Sequence, residues 1–168
     1  MKASEHQVSG THYKAELSGK NVKLGRPMSA NDKQVGGTHY KSSYAHWDYC
    51  IETNVPNLEY AASKYVLRWR KKNGLVDLEK AKHYIEKRLE CFNSYRGILR
   101  AANKKPELFE KMCEANGSTP KEKRIMDDIM HWKAPVHLVN ALIAINQLIV
   151  ENTPEEGEAT SAYVNQDR

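Results

Sequence analysis

The chain has 168 residues, a mean hydropathy of −0.74 and 28% charged residues, so it has room for one domain whose core must be concentrated in a few apolar segments. Its net charge of +5 is uneven: residues 151–168 hold five acids and one base, −4, which leaves +9 on the other 150. A basic body suits phosphate-bearing partners, either nucleotides or nucleic acid, and charge alone does not distinguish them.

Residues 1–42 lack hydrophobic periodicity and are rich in Gly, Ser, Lys and Asn, which reads as an extended, flexible arm. Within it an eight-residue word occurs twice. Gln7-Val8-Ser9-Gly10-Thr11-His12-Tyr13-Lys14 returns 27 residues later as Gln34-Val35-Gly36-Gly37-Thr38-His39-Tyr40-Lys41, identical at seven of the eight positions. Small residues that free the backbone, followed by a hydroxyl, an imidazole, a phenol and an ammonium, make poor core material and good anion-binding material. A single copy would read as a turn in a terminal arm; duplication favours a functional word.

From Ser43 the pattern is helical. Tyr44, Trp47 and Ile51 mark a short first helix that ends at Asn54-Val55-Pro56-Asn57. Leu58, Ala62, Tyr65, Val66 and Trp69 mark a second, stopped by Asn73-Gly74. Asp77 reads as the N-cap of a long third helix running to about Ala102, with Leu78, Ala81, Ile85, Leu89, Phe92 and Leu99 as its stripe. Pro106 opens a fourth helix that carries Leu108, Phe109 and Met112 inward and closes at Gly117. Thr119-Pro120-Lys121-Glu122 is a capping box ahead of Ile125, Met126, Ile129 and Met130. Pro135 starts the last helix, apolar almost all round, which places it centrally. No stretch alternates with period two, so the expectation is an all-α helical bundle over residues 43–152, followed by a disordered acidic tail, 153–168.

The run from Ala134 to Val150 spans 17 residues and contains His137, Asn140, Asn146 and Gln147, which reads as a buried helix and not a membrane span. Cys50, Cys91 and Cys113 form no CxxC pair and read as reduced thiols of a cytoplasmic protein, and the N-terminus shows no apolar signal segment.

Chemistry concentrates on the second helix and the turn after it. Lys64, Arg68 and Lys71/Lys72 follow at i, i+4 and i+7/i+8, a cationic stripe beside the apolar face. The short Asn73-Gly74 turn makes the second and third helices antiparallel neighbours, which gathers Arg68, Lys72, Asp77 and Lys80 within reach of one phosphate group. The competing reading is a solvated face laced with i,i+4 ion pairs, and both stay open on the sequence. His46-Trp47-Asp48 and His131-Trp132 read as helix-interface residues. No HExxH pattern points to zinc, and Tyr40 stands where a P-loop requires glycine.

Gln34-Val-Gly-Gly-Thr-His-Tyr-Lys41, Lys64-Tyr65 with Arg68, Lys71-Lys72-Asn73-Gly74 and Asp77-Leu78-x-Lys80-Ala81-x-x-Tyr84 resemble a small tailed-phage family. Many of its members are known only as a phage domain of unknown function, and one is a nucleotide kinase that phosphorylates dTMP and dGMP without a Walker motif. The resemblance covers about residues 33–90. This chain has Tyr60-Ala61 where that kinase has Gly-Asn, has no counterpart to its Cys-rich N-terminal half, and adds the first copy of the word and the helices from Pro106 to Glu151. The resemblance implies a deoxynucleoside monophosphate kinase acting in the cytoplasm of a phage host. Lys64, Arg68, Lys72 and Lys80 would carry the transferred charge, and Mg²⁺ would be held by the donor phosphates and Asp77. Gly36, Gly37, Thr38, His39, Tyr40, Lys41 and Tyr65 would bind nucleotide, while His12, Tyr13 and Lys14 would line a second site or reach a neighbouring subunit. The alternative is a non-enzymatic protein that binds nucleotides, nucleic acid or a host protein to modulate host metabolism or defence. A homo-oligomer, suggested by the apolar last helix, is compatible with either.

Overall fold

The structure is a computed structural model that describes residues 30–32, 41–94 and 101–154. Both copies of the word up to Tyr40, and the tail beyond Pro154, lie outside the described residues. Six α-helices account for the fold, with no strand among the described residues: α1 (His46–Thr53), α2 (Asn57–Arg68), α3 (Leu75–Ser94), α4 (Pro106–Ala115), α5 (Pro120–Met130) and α6 (Pro135–Asn152). A one-turn 3₁₀ segment, Trp69–Lys71, extends α2. The all-α expectation holds.

Four helices form a closed ring of neighbours: α2 packs on α3, α3 on α6, α6 on α5, and α5 back on α2. Ala62 and Val66 from α2, Leu78, Ala81 and Ile85 from α3, Ile125, Met126 and Ile129 from α5 and Leu138, Ala141 and Ile145 from α6 fill the interior. The pair α1 and α4 flanks this ring. Such 3.6-periodic apolar faces, more than intrinsic propensity, hold short helices in place.

The helix starts follow the sequence signals. Pro106 and Pro120 occupy first-turn positions, where the missing N–H costs nothing. The Thr119 hydroxyl accepts from Glu122 N at 3.2 Å and the Glu122 carboxylate accepts from Thr119 N at 2.7 Å, a complete capping box. Asn54 ends α1 in the left-handed region, φ 55°, one of the few residues besides glycine that tolerates it.

Four details differ from the pattern. The buried face of α1 is His46, Tyr49, Cys50 and Thr53, while Trp47 is 39% and Ile51 75% exposed. Hydropathy picks the wrong face because the polar groups on the inner side find partners: Thr53 Oγ1 donates to Tyr49 O at 2.8 Å, and the Tyr49 hydroxyl lies 2.7 Å from His131 Nε2. Second, α3 starts three residues earlier than an Asp77 cap would give, and Asp77 turns its carboxylate back towards α2 instead. Third, α3 is described as far as Ser94, and residues 101–105 are not helical, so the helix does not reach Ala102. Residues 101–105 are tied down by Ala102 N to Met130 O, 3.0 Å, and Asn103 N to Thr53 O, 2.8 Å. Leu99 lies outside the described residues. Fourth, α6 is not central. It buries Leu138, Ala141, Ile145 and Leu148 against α3 and α5 and turns an apolar outer face to solvent.

The link between α2 and α3 turns on Gly74, which has φ +57° and donates its N–H to Trp69 O at 2.9 Å. A Cβ there would meet nothing within 4 Å. Gly74→Ala should therefore cost only the backbone strain of a left-handed residue, about 1–2 kcal/mol, read as a lowered denaturation midpoint at unchanged slope. A loss beyond about 3 kcal/mol would show that the turn tolerates no side chain for another reason.

Candidate functional site

The cationic stripe and the turn do converge, and they converge on an aromatic surface. Tyr65 of α2 stacks on Tyr84 of α3, with centroids 5.8 Å apart and planes 18° from parallel. Three cations surround the Tyr65 ring: Arg68 Cζ at 4.6 Å, Lys64 Nζ at 5.0 Å and Lys80 Nζ at 5.5 Å from its centroid. Lys64 also sits 5.6 Å from the Tyr60 ring one turn earlier. Cations over tyrosine faces gain from the ring quadrupole, most of all where water is partly excluded.

One buried carboxylate organises the group. Asp77 is fully buried and accepts from Arg68 Nε at 2.9 Å, Arg68 Nη2 at 3.1 Å and Asn73 Nδ2 at 3.2 Å, with Lys80 Nζ at 3.6 Å. Burial works to raise its pKa, but the hydrogen bonds from Arg68 and Asn73 and the charges of Arg68 and Lys80 outweigh burial and hold it below the usual range. Asp77 is therefore a carboxylate fully engaged by donors, and its surroundings do not fit the metal-ligand role expected of it. Arg68 is likewise buried and locked in a two-point pair, so it positions the helix junction more than it offers itself to a ligand.

Lys64 is different. It is half-buried, and among the described residues no carboxylate forms a hydrogen bond or ion pair with it. Burial first, then the charges of Arg68 and Lys72, lower its pKa, while Asp77 opposes them. An ammonium held in a partly desolvated place beside other cations, with no carboxylate bonded to it among the described residues, is the setting in which an anion is bound with most gain. Lys72 is exposed just beyond the 3₁₀ turn, and Lys80 faces the same side from α3. The structure gathers all four residues expected to carry transferred charge: Lys64 and Lys80 border the Tyr65 ring, Arg68 is set behind them in its pair with Asp77, and the Lys72 charge acts on Lys64 from beyond the 3₁₀ turn.

Beside this cluster lies a cleft of about 550 Å³ between the end of α1 and the start of α2, lined by Trp47, Cys50, Ile51, Asn54, Val55, Asn57 and Tyr60. Tyr60 belongs to both the cleft and the cationic cluster. Behind it His46 is buried, 2.8 Å from Ser63 Oγ and with its ring centroid 5.2 Å from that of Tyr60. Burial, aided by the Lys64 charge, drives the His46 pKa down to about 3, so this ring is neutral. Burial also pushes the Cys50 and Cys113 thiols up to about 12, which leaves neither a thiolate nucleophile near neutral pH.

Gly36, Gly37, Thr38, His39, Tyr40, His12, Tyr13 and Lys14 lie outside the described residues. Lys41 is exposed ahead of Tyr44, and no hydrogen bond or ion pair joins it to the Tyr65 group. Among the described residues no cluster of three or more His, Cys, Asp or Glu is placed to hold a metal ion. No described helix is long and apolar enough to cross a membrane.

No family model, curated protein or solved structure matches this chain. The site thus stands on its own geometry.

Reading the sequence for charge missed Tyr60 and Tyr84. A signal for Tyr84 existed: Tyr65 lies nine residues before Gly74 and Tyr84 ten after it, so an antiparallel hairpin brings them level. The sequence also hid two buried carboxylates that fasten the fold around the site. Glu59 lies 2.6 Å from Arg88 Nε and accepts from Trp132 Nε1 at 2.7 Å. Glu122 accepts from Trp69 Nε1 at 2.6 Å and from Arg70 Nε and Nη2, both at 2.8 Å. Through Glu122, the 3₁₀ turn that leads into Lys72 is pinned to the start of α5. Arg70 donates onward to Gly117 O at 2.8 Å and Lys71 to Asn116 O at 2.5 Å, so neither of these two charges of the basic run belongs to the Tyr65 cluster.

Proposed function

We propose that this protein binds the phosphate groups of a nucleotide at Lys64, Lys72 and Lys80 on the Tyr65–Tyr84 platform, with the base seated in the Trp47–Tyr60 cleft. The observation that carries this reading is Lys64: an ammonium with lowered pKa, no bonded carboxylate among the described residues, and the Tyr60 and Tyr65 rings beside it. The tailed-phage resemblance extends the reading to phosphoryl transfer onto a deoxynucleoside monophosphate such as dTMP or dGMP.

The chemistry asks little of the protein beyond position and charge. An acceptor phosphate is already ionised, so no general base is needed. Its oxygen forms a new bond to the terminal phosphorus of the donor as the bond to the donor's bridging oxygen breaks, and a nucleoside diphosphate leaves. Lys64, Lys72 and Lys80 would neutralise the growing charge and hold donor and acceptor in line, while Arg68 and Asp77 keep α2 and α3 in register. Mg²⁺ enters with the donor nucleotide as its counter-ion.

The test is a phosphoryl-transfer assay with Mg²⁺, each deoxynucleoside monophosphate in turn, and ATP or dTTP as donor, with products resolved by ion exchange. Diphosphate formation is expected with at least one acceptor and should fall by about a hundredfold or more in Lys64→Ala. Turnover unchanged by Lys64→Ala would move the site elsewhere. No turnover in any combination would remove the kinase reading, leaving nucleotide binding to be judged by titration.

A further inference from the structure

The outer face of α6 is anomalous for a chain with 28% charged residues. From Pro135 to Val150 the helix contains no Asp, Glu, Lys or Arg. Its solvent side carries Val136, Val139, Ile143 and Val150, which are 55, 41, 52 and 75% exposed, interspersed with the amides Asn140, Asn146 and Gln147. Val136, Ile143 and Val150 are spaced by seven and Val139 follows the first by three, the a/d spacing of a helix–helix seam. A groove of about 360 Å³ opens beside Ile143 between α5 and α6, walled on the α5 side by the charged Lys121, Arg124 and Asp128 and on the α6 side by Asn140, Ala144 and Gln147, which offers a hole for a ridge from another helix at the margin of the uncharged stripe.

We propose that this face pairs with the same face of a second copy, α6 against α6, antiparallel about a two-fold axis at Ile143. The charge pattern selects this occupant. Two bodies of like net charge can approach closely only where that charge is missing, and the outer face of α6 is an uncharged stripe. Nucleic acid would find no Lys or Arg along the helix itself, only Arg124 and Lys121 at its margin, the second already paired with Glu151, and an interfacial membrane helix would carry basic residues on its polar side. The ends complete the match. Lys133 precedes the helix and Glu151 lies in its last turn, so antiparallel pairing about Ile143 sets each lysine near the partner's Glu151. That carboxylate is exposed and already contacted by Lys121 of its own chain at 2.6 Å, so it would sit between two ammonium groups. An isologous contact of this kind closes on itself as a dimer and leaves the Tyr65 platform on another part of the molecule.

Sedimentation equilibrium of the full chain across a concentration series should show a species of twice 19.2 kDa. Ile143→Lys places two like charges at the axis and should weaken association by roughly a hundredfold or more while leaving helical circular dichroism unchanged, because residue 143 is solvent-facing in the single chain. The register has its own readout in a Cys91→Ser background. Under mild oxidation Ile143→Cys should cross-link to itself, whereas Val136→Cys and Val150→Cys should cross-link in mixture and not alone. A chain that stays monomeric throughout, a dimer indifferent to Ile143→Lys, or cross-linking of Val136→Cys to itself would each overturn the proposal.

Discussion

Arg68→Ala should lower unfolding free energy by about 3–5 kcal/mol, one of the largest single-residue losses expected in this chain. Removing the guanidinium leaves Asp77 fully buried with Asn73 and a more distant Lys80 as its remaining partners. The cost is that of an under-compensated buried carboxylate, not of a surface ion pair, which would be worth about 1 kcal/mol or less. Because the pair joins α2 to α3 across the turn, the loss should appear as a lower denaturation midpoint. Asp77→Leu combined with Arg68→Met should recover much of the stability, since no charge is then left behind in the core. A loss under about 1 kcal/mol in Arg68→Ala would show that the pair is solvated and that the helix junction does not depend on it.

The second large effect is acid destabilisation through His46. In the unfolded chain this ring takes a proton near pH 6.5, while in the folded chain burial and Lys64 hold its pKa at about 3. The sign follows from which state binds the proton. Between these two values the unfolded state is protonated and the folded state is not, so acidification favours unfolding. Stability is complete above about pH 6.5 and declines by roughly 1.4 kcal/mol per pH unit as pH falls towards 3. Asp77, Glu122 and Asp127 act in the same direction at lower pH, because their carboxylates are held below the unfolded range, Asp127 down to about 2. Glu59 and Asp128, whose pKa values are raised, act in the opposite direction. His46→Gln keeps a polar group facing Ser63 but cannot take the proton. Its unfolding free energy should therefore fall by about 2–3 kcal/mol less than that of the unsubstituted chain between about pH 6 and pH 4, by urea denaturation at each pH. Identical slopes for the two chains would show that His46 titrates normally in the fold.

The helices were legible in the sequence wherever a local rule decides them. The Thr119–Glu122 box, the prolines at 106, 120 and 135 and the left-handed Gly74 act within one turn of chain, so one turn of sequence reveals them. The inward face of α1 was not legible. Its orientation depends on Ser63 and His131, which stand 17 and 82 residues away from their partners on α1. The peripheral place of α6 was hidden for a related reason. An apolar residue in sequence carries no mark of whether a neighbouring helix covers it, and Val139 and Ile143 look no different from Leu138 and Ile145. At the site, periodicity gave the cationic stripe and the turn brought Lys80 to it. What spacing could not give was the division of labour. Arg68 and Lys64 are one turn apart and both basic, yet Arg68 meets a buried carboxylate while Lys64, among the described residues, meets the rings of Tyr60 and Tyr65. That difference comes from Asp77 turning back across the junction instead of capping its own helix.

The measurement that bears most directly on the phosphate site is calorimetric titration of the chain with a deoxynucleoside monophosphate and, in parallel, with the matching nucleoside. Both should be repeated with Lys64→Met, which keeps the side-chain bulk and removes the charge. The phosphate site predicts that the monophosphate binds the unsubstituted chain at least about tenfold more tightly than the nucleoside, and that Lys64→Met abolishes that difference while leaving nucleoside affinity unchanged. Equal affinities for monophosphate and nucleoside, or a phosphate preference that survives Lys64→Met, would contradict it.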